Sequence, residues 1–322
     1  MIVVTGGAGF IGSCVIAGLN QRGRGDITIV DHLQENDLKK ANIAGKQYRK
    51  YFEKDEFLAL IRKDQIKEKI EAVIHMGACS STTLQDADYF EKNNFEYSCY
   101  VADWALKRRA RFIYASSAAT YGDGNQGYRD DEKTMLKLQP LNLYGVSKQK
   151  FDLWIWNHGL IDQVVGLKFF NVFGPNEYHK GDMQSIVAKS YQRVVAQGKI
   201  GLFKSYHPKY KDGEQKRDFI YVKDAVDIVL FFLDHPDVNG IFNVGTGQAN
   251  TWNDLAAALF AAVGRKANIE YIEMPESLRP RYQYFTQAEM TRLRQAGYDK
   301  PFTPLLEAVK DYGEYLRAQR HF

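Results

Sequence analysis

The chain has 322 residues, 45% of them hydrophobic and 25% charged, with a formal net charge of +4. This length buries a full core and predicts one large α/β domain with a smaller lobe, while the modest charge, with no dense basic block, excludes a nucleic-acid binder. Cys14, Cys79 and Cys99 show no CxxC spacing, no apolar run is long enough to cross a membrane, and residue 1 already begins a strand; a disulfide scaffold and a membrane protein are excluded and a reducing cytoplasm fits.

The first element predicted is a short strand, Ile2-Val3-Val4-Thr5, that stops at Gly6-Gly7-Ala8-Gly9-Phe10-Ile11-Gly12, where an apolar helical pattern begins. Gly6 permits the tight turn, Gly9 lets the backbone approach a pyrophosphate, and Gly12 lets the helix pack close to the strand. Strand, glycines and helix in this order predict a dinucleotide site at a helix N-terminus. The next strand ends at Asp31, placed to accept from a ribose 2′-OH, which favours NAD. Lys39, Lys40 and Lys54 follow; a cation there can neutralise a 2′-phosphate, which favours NADP. The pattern leaves this choice open.

Strands are predicted at 72–76, 111–115 and 164–169, with helices over 86–108 and 144–158 between them. Such alternation predicts a Rossmann-type α/β fold: a doubly wound parallel sheet with ligands at the C-terminal strand ends. His75, at a strand end, reads as a packed polar residue, and the seven histidines show no metal-ligand spacing, so no metal is expected. After Asn171 the pattern loosens into a turn at 174–176 and a polar loop over 204–217. A strand returns at 219–222, with Asp224 placed to cap the following helix, and another at 242–244. The expected division is a dinucleotide-binding domain over 1–170, completed by about 218–244, and a substrate lobe built from 171–217 and 245–322, with a cleft between them.

Two further motifs carry chemistry. Tyr144 and Lys148 of Tyr144-Gly145-Val146-Ser147-Lys148 lie on one face of a helix. A free phenol has a pKa near 10, so bringing it toward 7 needs about 4 kcal/mol of differential stabilisation. One close ammonium together with a positively charged nicotinamide is expected to supply it. Ser117, at the end of a strand, is placed to hydrogen-bond the substrate oxygen that Tyr144 deprotonates. Ala118 and Ala119 follow where a dehydratase needs an acid/base pair, which leaves epimerases and net reductases.

Glycine fingerprint, terminal serine and YxxxK in this order resemble the extended short-chain dehydrogenase/reductase superfamily, whose members act largely on nucleotide sugars. Within it the chain is similar to the ADP-L-glycero-D-manno-heptose 6-epimerases. The matching segments are 77–83, 116–122, 170–175, 179–181, Arg281-Tyr282-Gln283 and Phe285-Thr286-Gln287-Ala288. The resemblance implies epimerisation at C6 of the heptose of ADP-D-glycero-β-D-manno-heptose, for the inner core of lipopolysaccharide, by a homo-oligomer, a pentamer in that family. A UDP-hexose 4-epimerase or a net nucleotide-sugar reductase of the same superfamily is the alternative.

The resemblance also implies roles. Contacts to the cofactor, NADP in this family, fall on Phe10, Ile11, Asp31, His32, Lys39, Lys54, Met76, Gly77, Ala78, Cys79, Ser80, Asn93, Lys148 and Val172. Tyr144 and Lys180 become the two acid/base residues. Asn171, Phe203, Arg217 and Tyr282 contact substrate, with Arg217 offering a fork to the pyrophosphate. Lys180 would serve the second face of the ketone, given a pKa depressed by a closed pocket. Three positions depart from the family's pattern. Met76 stands where an acid is frequent, and Asp182 and Lys189, both at substrate positions, replace a small hydroxyl residue and a histidine.

Overall fold

The structure, a computed structural model, describes residues 1–35, 37–276, 278–279 and 282–322. Its strands, in chain order, are β1 (Ile2–Thr5), β2 (Ile27–Asp31), β3 (Lys50–Glu53), β4 (Ala72–His75), β5 (Arg111–Ser117), β6 (Val164–Phe169), β7 (Asn171–Phe173), β8 (Ile200–Phe203), β9 (Lys216–Tyr221), β10 (Gly240–Val244), β11 (Ala249–Thr251) and β12 (Ile269–Ile272).

Seven of them form a parallel sheet in the order β10–β6–β5–β4–β1–β2–β3. Alternate residues of these β-branched strands go to opposite faces. Ile2, Val4, Ile27, Ile29 and Ile74 enter one apolar core, and Val3, Val30 and Val73 enter another on the far side. Two covered faces explain why the strands read as unbroken apolar runs. The chain order reverses between β1 and β4, so the crevice beyond their C-terminal ends is where a doubly wound sheet receives its ligand. Outside this sheet, β9 lies between β7 and β11, and β8 pairs with β12.

Three expectations are corrected. The helix predicted over 86–108 is a helix Ala87–Phe90, a π-helical stretch Glu91–Glu96 and a helix Tyr97–Lys107 in direct succession. The polar loop ends earlier than 217, because Lys216 and Arg217 already pair with Thr251 and Asn250 as part of β9. Asp224 does not cap the helix Val222–Asp234, which β9 enters directly through Tyr221. Its carboxylate, inside the first turn, instead accepts from the backbone N–H and the hydroxyl of Thr303, both at 2.8 Å.

His75 is buried as expected, with Nδ1 2.6 Å from the Thr5 hydroxyl and Nε2 2.9 Å from that of Ser98. All three cysteines are free. No helix among the described residues is long and apolar enough to cross a membrane.

Candidate active site

The turn after β1 depends on bare glycines. Gly6 has φ +64°, and a Cβ on it would sit 2.6 Å from the Cα of Gly77 on the neighbouring strand end. A Cβ on Gly12 would lie 2.1 Å from the carbonyl oxygen of Gly6. The helix Phe10–Gln21 therefore starts against the turn itself, with first-turn N–H groups that have no partner within the helix. This cradle fits a pyrophosphate, and a side chain at Gly6 or Gly12 would collide with the backbone that forms it.

Asp31 closes one side of the cradle. One carboxylate oxygen accepts from the N–H groups of Ala8 at 2.9 Å and Gly9 at 3.1 Å; the other accepts from His32 N at 2.7 Å and Lys39 Nζ at 2.9 Å.

A cleft of about 860 Å³ opens from this turn across the C-terminal ends of the sheet. Its walls include Gly6, Gly9, Phe10, Ile11, Gly12, Asp31 and Lys39, then Met76, Gly77, Ala78 and Ser80 from the segment after β4. They continue through Ser117, Tyr144, Lys148, Asn171, Val172, Lys180, Asp182, Arg217 and Tyr282. Residues predicted for cofactor, chemistry and substrate thus share one space.

The helix Leu143–Asn157 starts at Asn142, whose side chain accepts from Gly145 N at 2.8 Å. It carries Tyr144, Lys148 and Asp152 at successive four-residue steps along one face. Lys148 is buried, and its Nζ donates to the Ala115 carbonyl at 2.7 Å. Burial also pulls Lys148 down to about 8, against the pull of Asp152. The expected acidic phenol is corrected on this point. Burial raises Tyr144 above its ordinary value, and contact with the Ser117 hydroxyl works the other way.

Beneath these residues lies a buried ion pair that the sequence did not single out. Asp152 meets Lys168 Nζ at 2.6 Å, with both side chains sealed from solvent. The carboxylate also accepts from the hydroxyls of Ser116 at 2.7 Å and Tyr114 at 3.0 Å, while Lys168 donates to the Thr120 hydroxyl at 2.8 Å.

Lys180, also on the cleft wall, sits on a short helical turn kinked at Gly181, with Nζ 4.9 Å from the centre of the Phe10 ring. Burial holds its pKa below the ordinary lysine value; Glu177 opposes that shift and Lys189 adds to it. Arg217 is buried over the rings of Tyr282, at 5.1 Å, and Trp252, at 5.8 Å. Its guanidinium donates to the carbonyls of Lys216 and Gln283, and the Trp252 ring N–H donates to the Tyr282 hydroxyl at 2.9 Å.

Six predicted residues do not line this cleft: His32, Lys54, Cys79, Asn93, Lys189 and Phe203. His32 turns outward to Glu53 at 3.2 Å. Lys54 donates to Asn93 at 2.5 Å, so these two are joined to each other. Lys189 donates to the Asp182 carbonyl, which puts two of the departures from the family pattern in contact. Phe203 ends β8, where its carbonyl accepts from Gln215. Arg281 lies outside the described residues.

The residue beside Asn93 was passed over. Asn94 is buried in the π-helical stretch; its amide pairs with both N–H and C=O of Cys79, at 2.8 and 2.9 Å, and donates to Ser147 at 3.0 Å. It ties the segment after β4 to the Tyr144 helix. A π-helical turn turns neighbouring residues to different partners, and its signal, two adjacent asparagines inside a helical pattern, is faint in a sequence.

Comparison with known proteins adds to this geometry. The model of the NAD dependent epimerase/dehydratase family matches residues 2–245. A protein of Nitratidesulfovibrio vulgaris (strain DP4) named ADP-L-glycero-D-manno-heptose-6-epimerase is 51% identical over the full length of both chains. One of that name from Fusobacterium nucleatum subsp. nucleatum is 47% identical over 97% of this chain and 96% of its own. The crystal structure of Helicobacter pylori ADP-L-glycero-D-manno-heptose-6-epimerase superposes with a TM-score of 0.83 at 27% identity, covering 98% of this chain and 96% of that one. A Methanobrevibacter ruminantium UDP-N-acetylglucosamine 4-epimerase, at 23% identity and a TM-score of 0.81, shares the fold. With its glycine cradle, terminal serine and Tyr–Lys helix in one cleft, the chain belongs to the NAD dependent epimerase/dehydratase family, among its ADP-L-glycero-D-manno-heptose 6-epimerases.

Proposed function

We propose that the protein interconverts ADP-D-glycero-β-D-manno-heptose and ADP-L-glycero-β-D-manno-heptose, a precursor step for the inner core of lipopolysaccharide, in the cytoplasm. The observation that carries this reading is full-length identity of about half with relatives of that name, joined to one cleft that holds Ser117, Tyr144 and Lys180.

Tyr144 accepts the proton of the C6 hydroxyl while Ser117 hydrogen-bonds the same oxygen. A bound nicotinamide supplies the hydride acceptor, and the donor for the return step. The resulting C6 ketone is reduced from its other face, and Lys180, which shares the cleft, gives the new hydroxyl its proton. Burial holds the pKa of Lys180 below the ordinary lysine value, which favours release of its proton. Burial raises the Tyr144 phenol and the Ser117 hydroxyl works the other way; the positive charge of an oxidised nicotinamide, when bound, would lower it further. Ala118 and Ala119 beside Ser117 leave the dehydratase reading without its acid/base pair.

NADP is the proposed cofactor. Asp31 already accepts four hydrogen bonds, which leaves it little capacity for a ribose hydroxyl, and one of its donors is Lys39 on the cleft wall. A 2′-phosphate there meets an ammonium beside a carboxylate already satisfied. Segments 171–217 and 245–322 form the proposed substrate lobe, with Arg217 and Tyr282 at the ADP, and the assembly is a homo-oligomer.

Incubation with the ADP-linked heptose and, separately, with UDP-galactose tests this. NMR should find inversion at C6 of the heptose, no change at C4 of galactose and no steady absorbance change at 340 nm. Inversion of galactose alone, or absorbance that tracks product, would refute it. Mass spectrometry of the cofactor retained through purification separates NADP from NAD.

A further inference from the structure

The segment that carries Lys180 is held by side chains outside the cleft. Asn42, buried on the short helix Lys39–Ile43, sends its amide N–H₂ to the Ala8 carbonyl of the glycine turn at 2.9 Å and the Asn176 carbonyl at 3.1 Å, with His179 Nδ1 at 3.3 Å. The same side chain's oxygen accepts from His321 Nδ1 at 2.8 Å. With its N–H₂ committed to carbonyls, its oxygen faces the imidazole, so Nδ1 is the protonated nitrogen of His321.

Asn176 makes the second half of this contact. It is fully buried, in the left-handed region at φ +75°, which asparagine tolerates better than most side chains. Its amide pairs with Phe322 as a strand would: Oδ1 accepts from Phe322 N at 2.8 Å, and Nδ2 donates to Phe322 O at 3.1 Å and to the Ser13 hydroxyl at 2.9 Å. Tyr178 donates to the Arg320 carbonyl at 2.9 Å. Three residues that precede Lys180 are therefore fastened either to the glycine turn and the helix it begins or to residues 320–322. Lys180 itself rests over Phe10, the first residue of that helix.

We propose that Asn42, Asn176 and the segment Arg320–Phe322 form a clasp that positions Lys180 against the glycine-rich turn, so that Asn42 and the two residues His321 and Phe322 are positioning residues of the epimerisation. This rests on the reading of Lys180 as the second acid/base residue. None of the clasp side chains lines the cleft, so their effect on turnover must pass through what they hold.

The test makes Asn42→Ala and a variant ending at Arg320, each in the unaltered enzyme and in Lys180→Met, and follows C6 inversion of the ADP-linked heptose by NMR. In the unaltered background each should lower kcat by about tenfold to a hundredfold, the scale of a small misplacement of a reacting group. KM should stay within about threefold and the retained cofactor should be unchanged. In Lys180→Met the further loss should be under about twofold, because coupled groups are not additive. The same loss in both backgrounds, a loss carried by KM, or departure of the cofactor would overturn the clasp. Should Asn42→Ala be insoluble, the shortened variant decides alone, since it removes two half-buried residues. Full turnover by Lys180→Met overturns the acid/base assignment instead, which is a separate result.

Discussion

Lys148 Nζ donates to the carbonyl of Ala115 at 2.7 Å. This bond joins the helix that bears Tyr144 to the strand that ends in Ser117, the two residues proposed to share the substrate oxygen. The motif's lysine is thus first a structural tie, from a buried position where its charge is costly. Asp152, one turn further along the helix, offsets part of that cost by favouring the ammonium form.

Tyr144→Phe keeps the ring and removes the proton acceptor. Turnover should fall by about 10²- to 10⁴-fold, the usual contribution of a positioned acid/base group. The retained cofactor, measured by mass spectrometry, should be unaltered, because the glycine cradle and Lys148 are untouched. A near-normal rate would remove Tyr144 from the chemistry.

Asp152→Ala should destabilise the protein by about 3–5 kcal/mol, the scale for one partner of a buried ion pair left alone. It leaves the Lys168 ammonium without its counter-charge and the hydroxyls of Ser116 and Tyr114 without their carboxylate acceptor. Replacing both charges, as Asp152→Leu with Lys168→Met, should recover most of that loss. Urea midpoints of the three proteins give the comparison; equal midpoints for Asp152→Ala and the unaltered protein would show that the pair contributes nothing.

The glycine turn, Ser117 and the Tyr144–Lys148 spacing were legible because each follows a local rule: a strand that stops at glycine, a serine at a strand end, two residues one helical turn apart. The Asp152–Lys168 pair was not, because its members lie on a helix and a strand: the register of β5 with β6 sets Ser116 beside Lys168, and the helix Leu143–Asn157 brings Asp152 to both. Asp224 misled for a related reason. Its sequence context suits a cap, but β9 runs into the helix with no intervening loop, and the carboxylate turns to Thr303 far along the chain. The clasp of Asn42 and Asn176 likewise has no local pattern, since each asparagine bonds to backbone from distant parts of the chain.

Arg217→Lys separates charge from shape. The guanidinium lies over Tyr282 while it donates to two carbonyls, which a single ammonium cannot reproduce. KM for the ADP-linked heptose should rise by about tenfold, with kcat within about threefold, since a binding contact far from C6 acts equally on substrate and transition state. Steady-state kinetics decide it, and a loss confined to kcat would place Arg217 at the reacting end.

His75 gives the fold an acid-sensitive group. Burial, aided by the charge of Lys148, pulls its pKa down to about 3. The unfolded chain binds this proton near pH 6.5 and the folded chain only near 3, so the unfolded state holds more protons throughout that window. The stability tied to neutral His75 is complete above pH 6.5 and is lost as pH falls toward 3. Between pH 7 and pH 5 the loss should be about 2 kcal/mol from this residue. His75→Gln, which cannot take up the proton, should lower stability at pH 7 by removing the bonds to Thr5 and Ser98, yet flatten the dependence between pH 7 and pH 5. Urea unfolding of both proteins at the two pH values measures the difference in slope; parallel slopes would show that the imidazole binds its proton as readily inside the fold as outside it.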